Sequence, residues 1–94
     1  MPKVLIVPCP NETRYRFGCP GCNTTHEVNH MWGFNGDVDN PTFTPSIKVV
    51  WEGGGIRKIC HSFVEDGKIR FLDDCTHSMA GKTVELPECK EGMV

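Results

Sequence analysis

The chain has 94 residues, with 10 basic and 12 acidic side chains and a formal net charge of -2 at pH 7. Because the basic residues are scattered among acidic ones, this balance argues against a nucleic-acid-binding protein. The longest apolar run, at positions 4–7, is too short for a membrane span or a signal peptide. We therefore expect a single domain over residues 1–94 that is cytoplasmic and has neither a nucleic-acid nor a membrane partner.

The pattern of apolar residues and turn residues predicts a mostly β protein, close to an antiparallel meander of hairpins. Turn signals occur at 53–55, with three glycines, and at 65–68, with Asp66-Gly67. Residues 76–81 are expected to form a loop or one short helix. The predicted strands are 3–7, which reads as buried, 14–17, 25–32, 46–51, 56–64, 69–73 and 83–86.

Seven potential metal ligands occur in three clusters along the chain, namely Cys19, Cys22 and His26, then Cys60 and His61, then Cys75 and His77. The first cluster has the two-residue gap of a zinc knuckle, in which a tight turn directs two thiolates at one ion. In a chain without an export signal, six cysteines are more typical of metal ligands than of disulfides. The sequence therefore predicts bound zinc, which would stabilise a small zinc-ribbon-like sheet.

The second predicted hairpin indicates where several of these side chains point. If Val64 pairs with Ile69, Cys60 lies opposite Asp73 and both face the same side of the sheet. His61 then points to the other side, with Asp74 near it across the pair. Adjacent Cys60 and His61 should therefore not bind the same ion unless the strand ends or bulges there.

Two zinc arrangements remain open. In the first, a single closed site contains Cys19, Cys22, Cys60 and either Cys75 or His77. In the second, Cys19, Cys22, Cys60 and Cys75 form a closed structural site. His26, His61 and His77 then form another site with an open position. An open zinc position lowers the pKa of bound water to about 7. Asp74 or Glu27 would then be the catalytic general base, or would orient a histidine through its second nitrogen.

The segment from His26 to His30 matches the H-E-x-x-H motif of zinc peptidases, which requires a helix to bring both histidines to one face. Val28 is β-branched and Gly33 follows closely, so a helix is disfavoured here. The large aromatic side chains are interpreted as core or staple residues rather than a base-stacking platform; they are Trp32, Phe34, Phe43 and Trp51.

Several blocks of sequence resemble a small phage and bacterial family of unknown function, some members of which carry an ammonia monooxygenase label. The blocks cover roughly residues 14–87 and include Cys19-Pro20-Gly21-Cys22, Pro45-Ser46, Cys60-His61-Ser62 and Asp74-Cys75-Thr76-His77. Relatives occur in bacterial operons that encode ubiquitin-like conjugation machinery, where they are proposed to be zinc peptidases. The resemblance implies site residues at Cys60, His61, Asp74 and His77, with metal binding by Cys19, Cys22 and His26.

Two functions from different classes are compatible with these observations. The leading hypothesis is a zinc metallopeptidase or isopeptidase that acts on a ubiquitin-like protein in the cytoplasm, or in the host cytoplasm if the chain is phage-encoded. The alternative is a non-catalytic, zinc-ribbon-like module that binds a protein partner and uses all its ligands in closed sites.

Overall fold

The computed structural model describes residues 2–89 and contains nine strands arranged in three antiparallel sheets. The first sheet has the order β1-β2-β3, β4 pairs with β5, and the third sheet has the order β6-β7-β8-β9. The strands are β1 (Leu5–Cys9), β2 (Glu12–Cys19), β3 (Thr24–Asn29), β4 (Gly33–Phe34), β5 (Phe43–Thr44), β6 (Ile47–Gly53), β7 (Ile56–Glu65), β8 (Lys68–Phe71) and β9 (Thr83–Glu85).

Two tight hairpins shape the third sheet. Gly54 and Gly55 join β6 to β7 with φ values of 57° and 77°, and Asp66 and Gly67 join β7 to β8 with φ values of 48° and 76°. Positive φ at both central residues gives a two-residue turn whose twist matches that of the flanking strands. The resulting register pairs Val64 with Ile69, which confirms the pairing expected from the sequence.

The core lies between the inner faces of the first and third sheets. Large side chains with almost no exposed surface fill it, namely Val4, Phe17, Phe43, Val64, Ile69, Phe71 and Leu86. Phe43 stacks on Phe34 with ring centroids 5.1 Å apart, which connects the small β4–β5 sheet to this core. Three cysteines, Cys19, Cys60 and Cys75, belong to the same buried cluster.

The main expectations that the fold corrects concern edges and loops. β1 is an edge strand rather than a buried one, and Ile6 is half exposed. Trp51 is not a core residue, because its side chain lies on the edge strand β6 and is 55 % exposed. Residues 76–81 form bends and turns, which is the loop rather than the short helix of the two expected alternatives. Within residues 2–89, no helix is long and apolar enough to cross a membrane.

Candidate functional site: a cysteine cluster and a hydroxyl–imidazole–carboxylate chain

The first half of the site is a cysteine turn at the end of the β2–β3 hairpin. β2 ends at Cys19 and β3 begins at Thr24, so Cys22 lies in the connecting turn. Asn23 adopts a φ of 55°, and its N–H donates to the carbonyl of Cys19 at 2.9 Å. The backbone N–H of Cys22 points at Cys19 Sγ at 3.4 Å. The turn therefore directs both sulfur atoms to the same side, as the two-residue spacing predicts.

Strand β7 brings Cys60 to this turn. The two sulfur atoms of Cys19 and Cys60 are 3.7 Å apart. Two sulfurs bound to one tetrahedral zinc at about 2.3 Å would be separated by about 3.8 Å. His26, on the inward face of β3, completes a group of four whose ligand atoms all lie within 4.8 Å of one another: Cys19, Cys22, His26 and Cys60. This group could hold a metal ion.

Burial and mutual hydrogen bonding set the charge of this group. Cys60 donates to Cys19, and this bond lowers the pKa of Cys19 to about 4 and raises the pKa of Cys60. Burial is the largest cause of the raised pKa of Cys22. Nε2 of His26 is buried and has no hydrogen-bond partner within residues 2–89. A buried thiolate at Cys19 and an unpartnered imidazole nitrogen at His26 suit a cation, and zinc binding would displace the thiol protons of Cys22 and Cys60.

A second group contains Cys60, Cys75 and His77. It differs from the first in the hydrogen bonding of its histidine ring. The backbone N–H of Met79 donates to His77 Nδ1 at 3.2 Å. In a neutral imidazole only one nitrogen accepts, so Nε2 of His77 carries the proton. That buried Nε2 has no partner among the described residues. His77 is therefore suited to donate to a nearby sulfur rather than to ligate the ion.

The knuckle makes room for this imidazole at Gly21. A Cβ atom built on Gly21 would lie 2.4 Å from His77 Cε1, which is inside van der Waals contact. The ring also packs edge-on against Phe71, with centroids 4.6 Å apart. The glycine of the Cys-Pro-Gly-Cys turn thus permits the close approach of a residue more than fifty positions away in the chain.

The second half of the site lies on the opposite face of β7. His61 Nε2 is 3.1 Å from Ser46 Oγ, and His61 Nδ1 is 3.1 Å from Asp74 Oδ2. Ser46 immediately precedes β6, and its neighbour Ile47 pairs with Ser62 of β7. Side chains alternate between faces along a strand, so His61 points away from the cysteine group into which Cys60 points.

Backbone contacts position His61 and Asp74 relative to each other. Leu72 N–H donates to the carbonyl of His61 at 2.9 Å, and Cys75 N–H donates to Leu72 at 3.2 Å, which closes the turn that carries Asp74. The sulfur of Cys75 lies 3.2 Å from both the amide nitrogen and the carbonyl oxygen of His61. The cysteine cluster and the serine–histidine–aspartate chain are therefore joined through Cys75 and through the adjacent pair Cys60-His61.

The structure separates the histidines that an open zinc site would need. His26 and His77 belong to the two different cysteine groups, and His61 bonds to Ser46 and Asp74 on the other face of β7. Asp74 lies beside His61, as the hairpin register predicts. The ladder between β7 and β8 ends at Ser62 and Phe71, so the expected pairing of Cys60 with Asp73 does not form.

Glu27 lies apart from both halves of the site. It is on the exposed face of β3, and its carboxylate pairs with Arg16 at 2.6 Å and with Arg14 at 3.3 Å. Its neighbour His26 points inward instead. The H-E-x-x-H segment is a strand that ends at Asn29, so the helical zinc-peptidase arrangement is absent from this described part of the chain.

Sequence reasoning did not identify Ser46 as a functional residue. The only signal was its place in a block shared with the resembling family, directly after Pro45. An irregular segment separates it from the earlier strands, and nothing in its own pattern indicates contact with His61. The contact arises because the β6–β7 register places Lys48 opposite His61. Ser46 lies two residues before Lys48 and therefore on the same face of the sheet.

The fold and the site together define a small antiparallel β protein with a serine–histidine–aspartate chain beside a cysteine cluster that could bind a metal. The family model described as bacterial ubiquitination-like system serine protease (BubE) matches residues 2–72, and the chain belongs to this family. The match includes Ser46 and His61 and ends two positions before Asp74. Neither curated proteins nor solved structures provide a significant match.

Proposed function

We propose that the chain is a serine peptidase in a bacterial ubiquitination-like system, with Ser46 as nucleophile, His61 as general base and Asp74 as the group that orients His61. The observation that carries this proposal is the continuous chain of two 3.1 Å contacts from Ser46 through His61 to Asp74. A nucleophile and its base within hydrogen-bond reach, with the base held by a third group, is the signature of an activated hydroxyl. Membership of a family described as serine proteases supports the same reaction class.

Ser46 is the serine that fits this role. The chain has three serines, of which Ser46 and Ser62 lie within the family match. Ser62 is fully buried on the inward face of β7, and its hydroxyl has no partner within residues 2–89. Ser46 is partly exposed and bonds to His61. Solvent and substrate can thus reach the hydroxyl that has a base beside it.

In the proposed reaction, Nε2 of His61 takes the proton of the Ser46 hydroxyl as the oxygen attacks a peptide carbonyl. The same nitrogen then gives the proton to the leaving amine, and water repeats the cycle on the acyl-enzyme. Asp74 accepts a hydrogen bond from Nδ1–H, which fixes the tautomer with an unprotonated Nε2 and stabilises the imidazolium that forms. The substrate in this proposal is a ubiquitin-like protein or its conjugate, handled in the cytoplasm of a bacterium or of a phage host.

The second part of the proposal is a structural zinc ion held by Cys19, Cys22, His26 and Cys60. Three thiolates and one imidazole form a closed tetrahedral set, which leaves no position for a reacting water. The close sulfur pair and the unpartnered Nε2 of His26 support this ligand set. Zinc would stabilise the fold next to the reactive groups. His77 would donate to a metal-bound sulfur, and Cys75 would hold the backbone of His61.

This proposal replaces water activation by zinc, the mechanism expected from the sequence, with a serine nucleophile. A zinc hydrolase would need an open position near His61, but both nitrogens of that ring already have partners. The non-catalytic zinc module remains the competing function. It would make no use of an exposed serine beside an oriented imidazole, whereas the peptidase does.

The direct test is reaction of the purified, metal-loaded chain with a fluorophosphonate probe, followed by mass spectrometry of the labelled peptide. The proposal expects one covalent adduct on Ser46, which disappears in Ser46→Ala and in His61→Gln. Ser62→Ala and Ser78→Ala are the matched controls and should label normally. No labelling of a folded, metal-loaded chain would contradict the serine peptidase and favour the binding module.

A further inference from the structure

The strand that begins beside Ser46 has an open edge. β6 is the first strand of its four-stranded sheet and pairs only with β7 among the described residues. Its side chains at that edge are exposed, including Val50 at 43 % and Trp51 at 55 %. A strand edge with free backbone groups can accept another extended chain. The nucleophile therefore lies at the end of a ready pairing surface.

The hydrogen-bond pattern of β7 shows which backbone groups of β6 are free. The carbonyls of Ile59 and His61 accept from Thr76 and Leu72, on the side of the sheet away from β6. Since N–H and C=O of one residue point the same way in a strand, Cys60 and Ser62 direct theirs toward β6. Within β6 the residues bonded to them are those opposite, Val49 and Ile47.

It follows that Lys48 and Val50 direct their N–H and C=O groups outward. No backbone partner for either lies among residues 2–89. Their side chains share the face of Ser46 and His61, because these positions alternate with Ile47 and Val49. The free backbone groups thus belong to residues two and four positions after Ser46, whose side chains lie on the same face as Ser46.

The other face of the same edge opens on a groove of about 700 Å³. Val49 and Trp51 supply its apolar side, and Lys58, whose Nζ lies 5.6 Å from the Trp51 ring centroid, supplies positive charge. Residues of the cysteine group also line it, namely Cys22, His26 and Cys60. No acidic side chain of residues 2–89 lines it. Side chains of a strand added to β6 would alternate between this groove and the face that carries Val50. The groove fits apolar or acidic side chains.

We infer that the substrate segment binds as an extended strand added to the free edge of β6, paired with the backbone of Lys48 and Val50, with an apolar or acidic side chain in the groove beside Trp51. This inference rests on the proposed serine peptidase and specifies its substrate as an unstructured peptide segment. Strand addition fixes the peptide by main-chain hydrogen bonds and reads alternate side chains. It would align the cleaved bond with Ser46 through β6 itself.

The test uses Val50→Pro, which removes one outward N–H and places a ring on the open edge. Proline is tolerated on an edge strand where its N–H would face solvent, so the fold and metal content should persist. The probe is a mixture of randomised, quenched-fluorescent decapeptides. We expect at least a tenfold loss of kcat/KM in Val50→Pro and a much smaller loss in Val50→Ala, which keeps the N–H. Both variants should still react with fluorophosphonate.

A second measurement does not depend on the folding of a variant. A decapeptide cleaved by the wild-type chain is N-methylated at each backbone position in turn. Strand addition predicts that cleavage falls only for alternate positions, those whose N–H would point at β6. Equal effects at consecutive positions, or equal kcat/KM for the proline and alanine variants, would overturn the inference. So would labelling of Ser46 by fluorophosphonate without cleavage of any decapeptide, whereas absence of labelling would refute the peptidase itself.

Discussion

The two faces of β7 carry different chemistry on adjacent residues. Cys60 faces inward to a buried sulfur-rich group, and His61 faces outward to a partly exposed serine and an exposed aspartate. The inward group is largely buried, borders the groove beside Trp51, and has nitrogen and sulfur atoms that suit a cation, whereas the outward group is exposed to solvent. The alternation of a single strand thus separates a stabilising site from a reactive one by one residue.

In a chain of this length, the inward group would supply stability that the outward face does not. A chain of 94 residues has a modest core, and the side chains of Ser46 and Asp74 are not part of it. A metal in the inward group would supply folding free energy where the reactive face cannot. Cys75, which contacts both backbone groups of His61, connects the two. Breaking either face should therefore have distinct consequences.

The largest expected effect comes from the inward face. Cys19→Ser should abolish binding of one zinc per chain and lower the free energy of unfolding by several kcal/mol, since ligand loss removes metal-coupled folding energy. Metal content by mass spectrometry and thermal unfolding measure this. Cys9→Ser is the control, because Cys9 lies outside both groups of the described chain that could hold a metal, and it should change neither quantity. Full stability after metal removal would contradict the structural site.

On the outward face, Ser46→Ala should leave stability within about 0.5 kcal/mol, because the side chain is on the surface. Peptide cleavage should fall by about 10⁴-fold or more, as expected when a nucleophile is removed. Steady-state kinetics on a cleaved decapeptide and chemical denaturation measure the two quantities. A Ser46→Ala variant that retains activity would exclude Ser46 as the nucleophile. Together with Cys19→Ser, it separates loss of chemistry from loss of fold.

A smaller loss is expected at the third member of the outward chain. Asp74→Asn should reduce kcat by about 100-fold, because the amide no longer favours the required His61 tautomer. The loss is smaller than for a buried aspartate, since the side chain of Asp74 is 43 % exposed and solvent screens its charge. Asp73→Asn is the matched control, one residue away and also exposed. Equal losses in both variants would indicate a general effect of charge instead.

The sequence predicts local pairing better than it predicts the reactive site. The turn residues Asp66 and Gly67 fix the β7–β8 register, and this register correctly places Asp74 near His61. The knuckle spacing likewise predicts the approach of Cys19 and Cys22. These features depend on short stretches of chain whose geometry is set by turn type and by strand alternation.

The positions of Ser46 and Glu27 relative to the histidines could not be predicted from the sequence. Ser46 reaches His61 through the β6–β7 pairing, but a serine carries no periodic signal that marks it as a nucleophile. From the sequence, Glu27 is a candidate catalytic base because it adjoins His26, but strand alternation directs it outward to Arg14 and Arg16. Similarly, the Met79 N–H distinguishes His77 from His26 as a candidate metal ligand, and spacing alone does not reveal this contact.

The smallest expected effect concerns Lys48, whose Nζ is 4.0 Å from Asp74 Oδ2 on the outward face. Both side chains are nearly half exposed, so the pair is worth at most about 1 kcal/mol and is screened by salt. Lys48→Met should therefore lower kcat/KM by no more than about fivefold at low ionic strength, with the difference vanishing near 1 M salt. Lys82→Met, an exposed lysine in the loop before β9, is the control. A loss that persists at high salt would mean that Lys48 contacts the substrate directly, which would extend the reactive face along the strand edge that begins at Ser46.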